Sequence, residues 1–154
     1  MFTTIEDFAR TWKQEIGFTQ SVMDALTNES LTQAINEDHR TLGRMAWHIA
    51  MSIPEMMSRC GLDFGGADPE APVPATAKEI AEAYQTHSQK LLAEVESKWQ
   101  DATLQVEDEM YGETWKRGKT LHILLVHEIH HRGQMTVLMR QAGVVVPSIY
   151  GPAK

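Results

Sequence analysis

The chain has 154 residues, 42% hydrophobic and 23% charged, which is typical of a single soluble globular domain spanning residues 1–154. The net charge of −7 and the absence of a dense basic cluster argue against a nucleic-acid partner. With no apolar stretch long enough to span a bilayer, an acidic N-terminus unlike a signal peptide and one cysteine, Cys60, we expect a cytoplasmic protein without a membrane partner.

Four segments carry the apolar period of an amphipathic helix, and none sustains the alternation of a β-strand. The first helix is predicted at residues 4–26, with a threonine as its N-cap. The second begins after the capping residue Thr41 and contains Pro54, which we expect to bend it. The third opens with the capping-box sequence Thr76-Ala77-Lys78-Glu79. The fourth is predicted at 119–142 and ends before a glycine suited to a helix C-terminus.

Three connections separate these helices. Residues 27–40 read as a link with room for a short helical turn, and residues 60–75 contain enough glycine and proline to exclude regular structure. Residues 100–118 alternate briefly and can form a short hairpin. The apolar C-terminal tail after residue 143 is expected to pack back along the helices.

Four amphipathic helices without a strand partner bury their apolar faces as an all-α four-helix bundle. The connection of 16 residues from Cys60 to Ala75 is long enough to cross the height of such a bundle. Helices 2 and 3 can therefore run parallel.

The fourth helix is apolar on every side along Ile123-Leu124-Leu125-Val126, and a helix of this kind is usually buried all round. Two explanations remain open at this point. One is a homodimer through helix 4, and the other is coverage of the helix by the C-terminal tail.

Four of the seven histidines lie within ten positions of helix 4, from His122 to His131. His127 and His131 are four residues apart, so they share one helix face and can bind one metal ion. A surface that happens to be rich in histidine is the alternative. His48 lies in the middle of helix 2, where it can meet this pair inside a bundle.

The stretch from His127 to His131 also fits the zinc-protease pattern H-E-x-x-H, in which the glutamate is the general base. The extended form needs a glycine and a histidine where this chain has Gln134 and Val137. The thermolysin form needs a glutamate on a later helix, and no later helix is predicted. Because neither form is complete, we disfavour the protease interpretation. Glu128 points about 100° around the helix from His127, which leaves it without an assigned role.

The whole chain resembles the DinB/YfiT-like family of metal-binding four-helix bundles. The resemblance is carried by Thr41-Leu42 and His48 in helix 2, by His127-Glu128-Ile129-His130-His131-Arg132-Gly133-Gln134 in helix 4, and by the ending Val146-Pro147-Ser148-Ile149-Tyr150-Gly151. The helix 4 signature H-x-x-H-H-R-G-Q is the specific part of this match.

The resemblance implies an up-down-down-up bundle that holds one divalent metal ion through His48, His127 and His131. A neutral set of three nitrogen ligands suits Zn²⁺ or Ni²⁺. Such proteins are commonly homodimers. Members of known activity are thiol-dependent transferases and isomerases, which implies a small thiol and a small electrophile as substrates.

Three imidazoles leave an open coordination position, the mark of a catalytic site. A thiol that enters it is deprotonated, whereas a water there has its pKa lowered to about 7. The leading hypothesis is a metal-dependent thiol S-transferase. The alternatives are a metal-dependent hydrolase and a non-catalytic stress-response module that binds a metal or ligand, and the sequence assigns no general base.

Overall fold

The computed structural model describes residues 1–65, 68 and 71–152. The described chain folds into four α-helices and one small hairpin, which confirms the predicted all-α bundle. Two short 3₁₀ turns lie in the connections, at Glu29–Thr32 and Asp101–Gln105. The helices and strands are α1 Ile5–Asp24, α2 Leu42–Arg59, α3 Ala77–Lys98, β1 Glu107–Met110, β2 Glu113–Lys116 and α4 Arg117–Gln141.

The helix boundaries follow from local capping signals. Before each of the first three helices, a threonine hydroxyl accepts a hydrogen bond from the backbone N–H three residues later; these residues are Thr4, Thr41 and Thr76. The carboxylate of Glu79 accepts a hydrogen bond from the backbone N–H of Thr76, which completes the predicted capping box. Gly143 adopts φ +73° after α4, a conformation that glycine tolerates without strain.

The directions of α1, α3 and α4 follow from contacts at their ends. The backbone N–H of Phe2 donates to the carbonyl of Gly118 at 3.1 Å, so α1 and α4 start together and run parallel. The backbone N–H of Ile5 donates to Asp101 Oδ1 at 2.8 Å, which places the start of α1 beside the end of α3. These two helices are therefore antiparallel.

The second helix runs antiparallel to α4. Met45 near its start lines a cavity with Leu138 near the end of α4, whereas Met56 near its end lines another with Ile123. The order is therefore up-down-down-up, as the resemblance implied, and α2 continues through Pro54 to Arg59.

One apolar core fills the bundle and contains side chains from all four helices. Its largest fully buried members include Phe8, Trp12, Ile49, Ile53, Ile80, Leu91 and Leu104. Val144, Val146 and Ile149 of the C-terminal tail pack against this core, as predicted for the tail. None of the described helices has the combination of length and apolarity that a membrane span requires.

The connection between α2 and α3 differs in structure from the connection between α3 and α4. Within residues 60–75, positions 66, 67, 69 and 70 lie outside the described residues, and the described remainder forms no helix or strand. The predicted hairpin is present within 100–118. Its two-residue turn is Tyr111-Gly112, at φ 55° and 81°, which are the signs a tight type I′ hairpin requires.

Candidate metal centre

The three histidines implied as ligands lie together in the middle of the bundle. His48 comes from α2, and His127 and His131 come from successive turns of α4. One ligand atom from each ring lies within 4.8 Å of the others. The Nε2 atoms of His48 and His127 are 3.0 Å apart, and the three ring centroids are separated by 4.4–4.9 Å.

The electrostatics of the cluster favour neutral imidazoles. Burial, with smaller contributions from Arg40 and the neighbouring rings, lowers the pKa of His48 and of His127 to about 4 each. Burial also lowers the pKa of His131. All three rings are therefore neutral near pH 7, which is the form that binds a metal ion.

The cluster passes a further test of fit. The Nδ1 atom of His127 is buried and has no hydrogen-bond partner in the described chain. It lies on the opposite edge of the ring from Nε2, the atom that faces His48. Three convergent neutral nitrogens are the donor set that a divalent metal site with nitrogen ligands uses.

The remaining histidines lie outside the cluster. His130 is exposed, although its ring centroid is 5.0 Å from that of His131. His122 packs edge-on against a phenylalanine ring, and His39 bonds to a nearby asparagine. The Nδ1 atom of His87 lies 3.0 Å from the backbone oxygen of Ala50. Each thus has a local structural contact.

Glu128 faces away from the histidines. It is 1% exposed, and its Oε1 atom accepts hydrogen bonds from the hydroxyls of Thr19 on α1 (2.7 Å) and Tyr84 on α3 (2.9 Å). A general base must reach the reacting group. Glu128 cannot serve as the base of a zinc protease in this arrangement, which agrees with the preference drawn from the sequence.

Arg132 extends the same buried network. Its guanidinium donates to Glu15 Oε2 at 2.6 Å and to Thr19 Oγ1 at 2.9 Å. It also lies over the rings of Phe18 and Tyr150, at 5.7 and 5.4 Å from their centroids. This network links α4 to α1 and to the C-terminal tail.

The network sets which face of α4 is fully buried. Glu128 and Arg132 are buried on the face toward α1, whereas His127 and His131 are partly exposed toward α2. Each buried charged residue directly follows a candidate ligand in sequence. The network therefore fixes the rotation of α4 that presents both histidines to His48.

A cavity of about 360 Å³ adjoins the cluster on the side of the hairpin, and both His48 and His127 line it. Glu55 and Tyr111 also line it. The Tyr111 hydroxyl donates to Glu55 Oε2, and Arg59 donates to Glu55 Oε1 at 2.7 Å. Sequence reasoning missed Glu55 and Tyr111, because only the docked hairpin brings residues 56 positions apart into contact.

A second cavity, of about 300 Å³, adjoins the cluster at His131. It lies between the start of α2, the connection before it and the second half of α4. Its lining residues are Ile35, His39, Arg40, Met45, His131, Gln134, Val137 and Leu138. The histidine cluster is thus flanked by two spaces that could hold small molecules.

The fold and the site together define the class of the protein. It is a four-helix bundle in which two antiparallel helices bring three histidines together as a candidate metal site. The chain belongs to the DinB family, whose sequence model matches residues 1–154.

Two relatives resemble the chain over nearly its whole length. The uncharacterized protein YrdA of Bacillus subtilis strain 168 is 43% identical over 154 residues, which are 100% of this chain and 92% of that protein. A crystal structure of a DinB-like protein from Bacillus cereus is 44% identical and superposes with a TM-score of 0.93, covering 97% of this chain and all of the other.

A more distant structure shares the fold alone. The DinB-like protein YjoA of Bacillus subtilis is 16% identical, with a TM-score of 0.73 and coverage of 95% of this chain and 99% of that one.

Proposed function

We propose that the protein is a metal-dependent thiol S-transferase acting on a small electrophile. The observation that carries the proposal is the convergence of three neutral histidines, His48, His127 and His131, between two cavities. A purely structural metal site is usually closed by four protein ligands. Here three side chains converge and the neighbouring space is open to small molecules.

The three histidines would hold the ion, and the neutral nitrogen set suits Zn²⁺ or Ni²⁺. Such an ion supplies an open coordination position at which a thiol loses its proton. Gln134 orients His131, since its Oε1 atom lies 2.7 Å from the ring Nδ1 atom. In this proposal the reaction takes place in the cytoplasm, because small thiols are kept reduced there.

Glu55 is the proposed acceptor of the thiol proton. It is the residue with a carboxylate among those lining the cavity shared by His48 and His127, and its side chain is 17% exposed. In the overall reaction the thiol sulfur bonds to the electrophilic carbon, the leaving group departs with the electron pair, and the proton passes to Glu55. Tyr111 and Arg59 hold the carboxylate in place.

The proposal is tested on protein purified without a histidine tag and loaded with zinc or nickel. Consumption of thiol groups is followed with a panel of small thiols and alkylating electrophiles. Turnover is expected for the wild-type protein, and Glu55→Gln is expected to lower it at least about tenfold while metal content is retained. Glu94→Gln, which removes a carboxylate of α3 that is 20% exposed and pairs with Lys98, is the matched control. Full metal occupancy without turnover of any pair would contradict the transferase.

A further inference from the structure

The cavity at His131 has a mostly apolar lining, and, among the described residues, its one permanently charged lining residue is positive. Met45 and Leu138 are 8% and 3% exposed and form buried walls. Ile35 and Val137 are 65% and 51% exposed, although both are large and apolar. Apolar side chains that stay open to solvent around a concave space are typical of a ligand site.

Arg40 supplies the permanent charge in this lining. Four other arginines of the described chain bond to carboxylates, namely Arg10, Arg59, Arg117 and Arg132. Arg40 forms no ion pair and no hydrogen bond with the described residues, although the chain has a net charge of −7. Its guanidinium is therefore available to a ligand.

Arg40 also lies close to the candidate metal centre. Its positive charge contributes, after burial, to the lowered pKa of all three clustered histidines. A ligand that reaches from this arginine toward His131 passes along the apolar walls of the same cavity.

We infer that this cavity binds an organic acid, with the carboxylate at Arg40 and an apolar chain along Met45, Val137 and Leu138. The guanidinium is a planar donor suited to a carboxylate. The other end of the acid then faces His131, so the inference rests on the proposed function for its reacting end. It assigns to Arg40 the selection of anionic over neutral substrates.

The test compares hexanoate with 1-hexanol, which share an apolar chain and differ in charge. Full-length, metal-free protein is titrated at about pH 8, where an ordinary histidine is neutral and no bound ion can attract the carboxylate. The apolar core contains side chains from all four helices, so the metal-free protein is expected to stay folded. Binding is followed through the methyl NMR signals of Met45 and Leu138.

Hexanoate is expected to bind about fivefold more tightly than 1-hexanol, which is the upper end of what one exposed ion pair contributes. Arg40→Gln is expected to remove this preference. Arg10→Gln, an exposed arginine on α1, is expected to keep it. Equal affinity for the two probes, a preference that survives Arg40→Gln, or no response at Met45 and Leu138 would overturn the inference.

Zinc binding is measured separately on the same preparation, so the two proposals fail in different ways. A protein that prefers hexanoate but binds no zinc overturns the proposed function and leaves the acid site in place. A protein that binds zinc and transfers thiols without any preference for hexanoate overturns the acid site alone.

Discussion

The Nδ1 atom of His131 lies 2.7 Å from Oε1 of Gln134, one helical turn further along α4. A carboxamide oxygen only accepts hydrogen bonds, so this contact keeps the ring proton on Nδ1 and leaves the lone pair on Nε2 for a metal ion.

Replacement of Gln134 should therefore weaken metal binding without removing a ligand. Gln134→Ala is expected to lower zinc affinity by about tenfold, the lower end of what loss of such a partner costs. Competition with a chromogenic chelator measures the change. Gln141→Ala, an exposed residue at the end of α4, is the control. Unchanged affinity in Gln134→Ala would show that the contact does not orient the ring.

The buried carboxyl of Glu128 should give the protein a distinctive pH dependence. Burial raises its pKa from 4.5 to about 7, against the opposing effect of hydrogen bonds from Thr19 and Tyr84. The folded state therefore keeps this proton between about pH 4.5 and 7, where the unfolded state loses it. The bound proton therefore contributes about 3 kcal/mol to the free energy of unfolding below pH 4.5. This contribution is lost as pH rises from 4.5 through 7.

Glu128→Gln should abolish this contribution, because the amide resembles the protonated carboxyl. Urea unfolding of metal-free protein at several pH values measures the free energy of unfolding. As pH rises from 4.5 to 8, the free energy of unfolding of the wild type is expected to fall relative to that of Glu128→Gln. A difference that stays constant over this range would contradict the raised pKa of Glu128.

Removal of only one partner of the ion pair between Arg132 and Glu15 should strongly lower the free energy of unfolding. Both side chains are buried, at 2% and 6% exposure, so loss of one leaves an uncompensated charge. Arg132→Met is expected to lower the free energy of unfolding by about 3–5 kcal/mol. The double variant Glu15→Gln/Arg132→Met should lose less than Arg132→Met alone. Urea unfolding measures both, and a larger loss in the double variant would contradict the pairing.

Metal removal should leave the bundle folded. The apolar core is built without His48, His127 or His131, so chelation is expected to preserve the helical circular dichroism signal. At free metal about 100 times Kd, binding adds about 2.7 kcal/mol, which corresponds to a Tm difference of about 5–10 °C. Collapse of the helical signal on chelation would instead indicate that the metal holds the fold together.

Local signals in the sequence were sufficient for most of the fold. The capping box at Thr76, the glycine at 143 and the spacing of His127 and His131 each depend on neighbours a few residues away. The position of His48 in the middle of helix 2 indicated that it can meet this pair, and the resemblance implied its role as the third ligand. The C-terminal tail packs against the core as predicted, whereas the homodimer through α4 stays a prediction.

The polar contacts around the site could not be read from local patterns. The bonds from Thr19 and Tyr84 to Glu128 join three helices, and their partners are fixed by the way the helices pack. The contact between Glu55 and Tyr111 depends in the same way on where the hairpin docks. Long-range pairing of this kind leaves no periodic signal in a single sequence.

The most direct test is the metal content of the three single variants His48→Ala, His127→Ala and His131→Ala, measured by mass spectrometry after zinc loading and gel filtration. The wild-type protein and His130→Ala, which removes an exposed neighbour of the cluster, should each hold one zinc ion per chain. Each of the three variants should lose it, because loss of a ligand costs more than the roughly 10–100-fold of an outer partner. Stoichiometric zinc in any of the three, or loss in His130→Ala alone, would contradict the three-histidine centre.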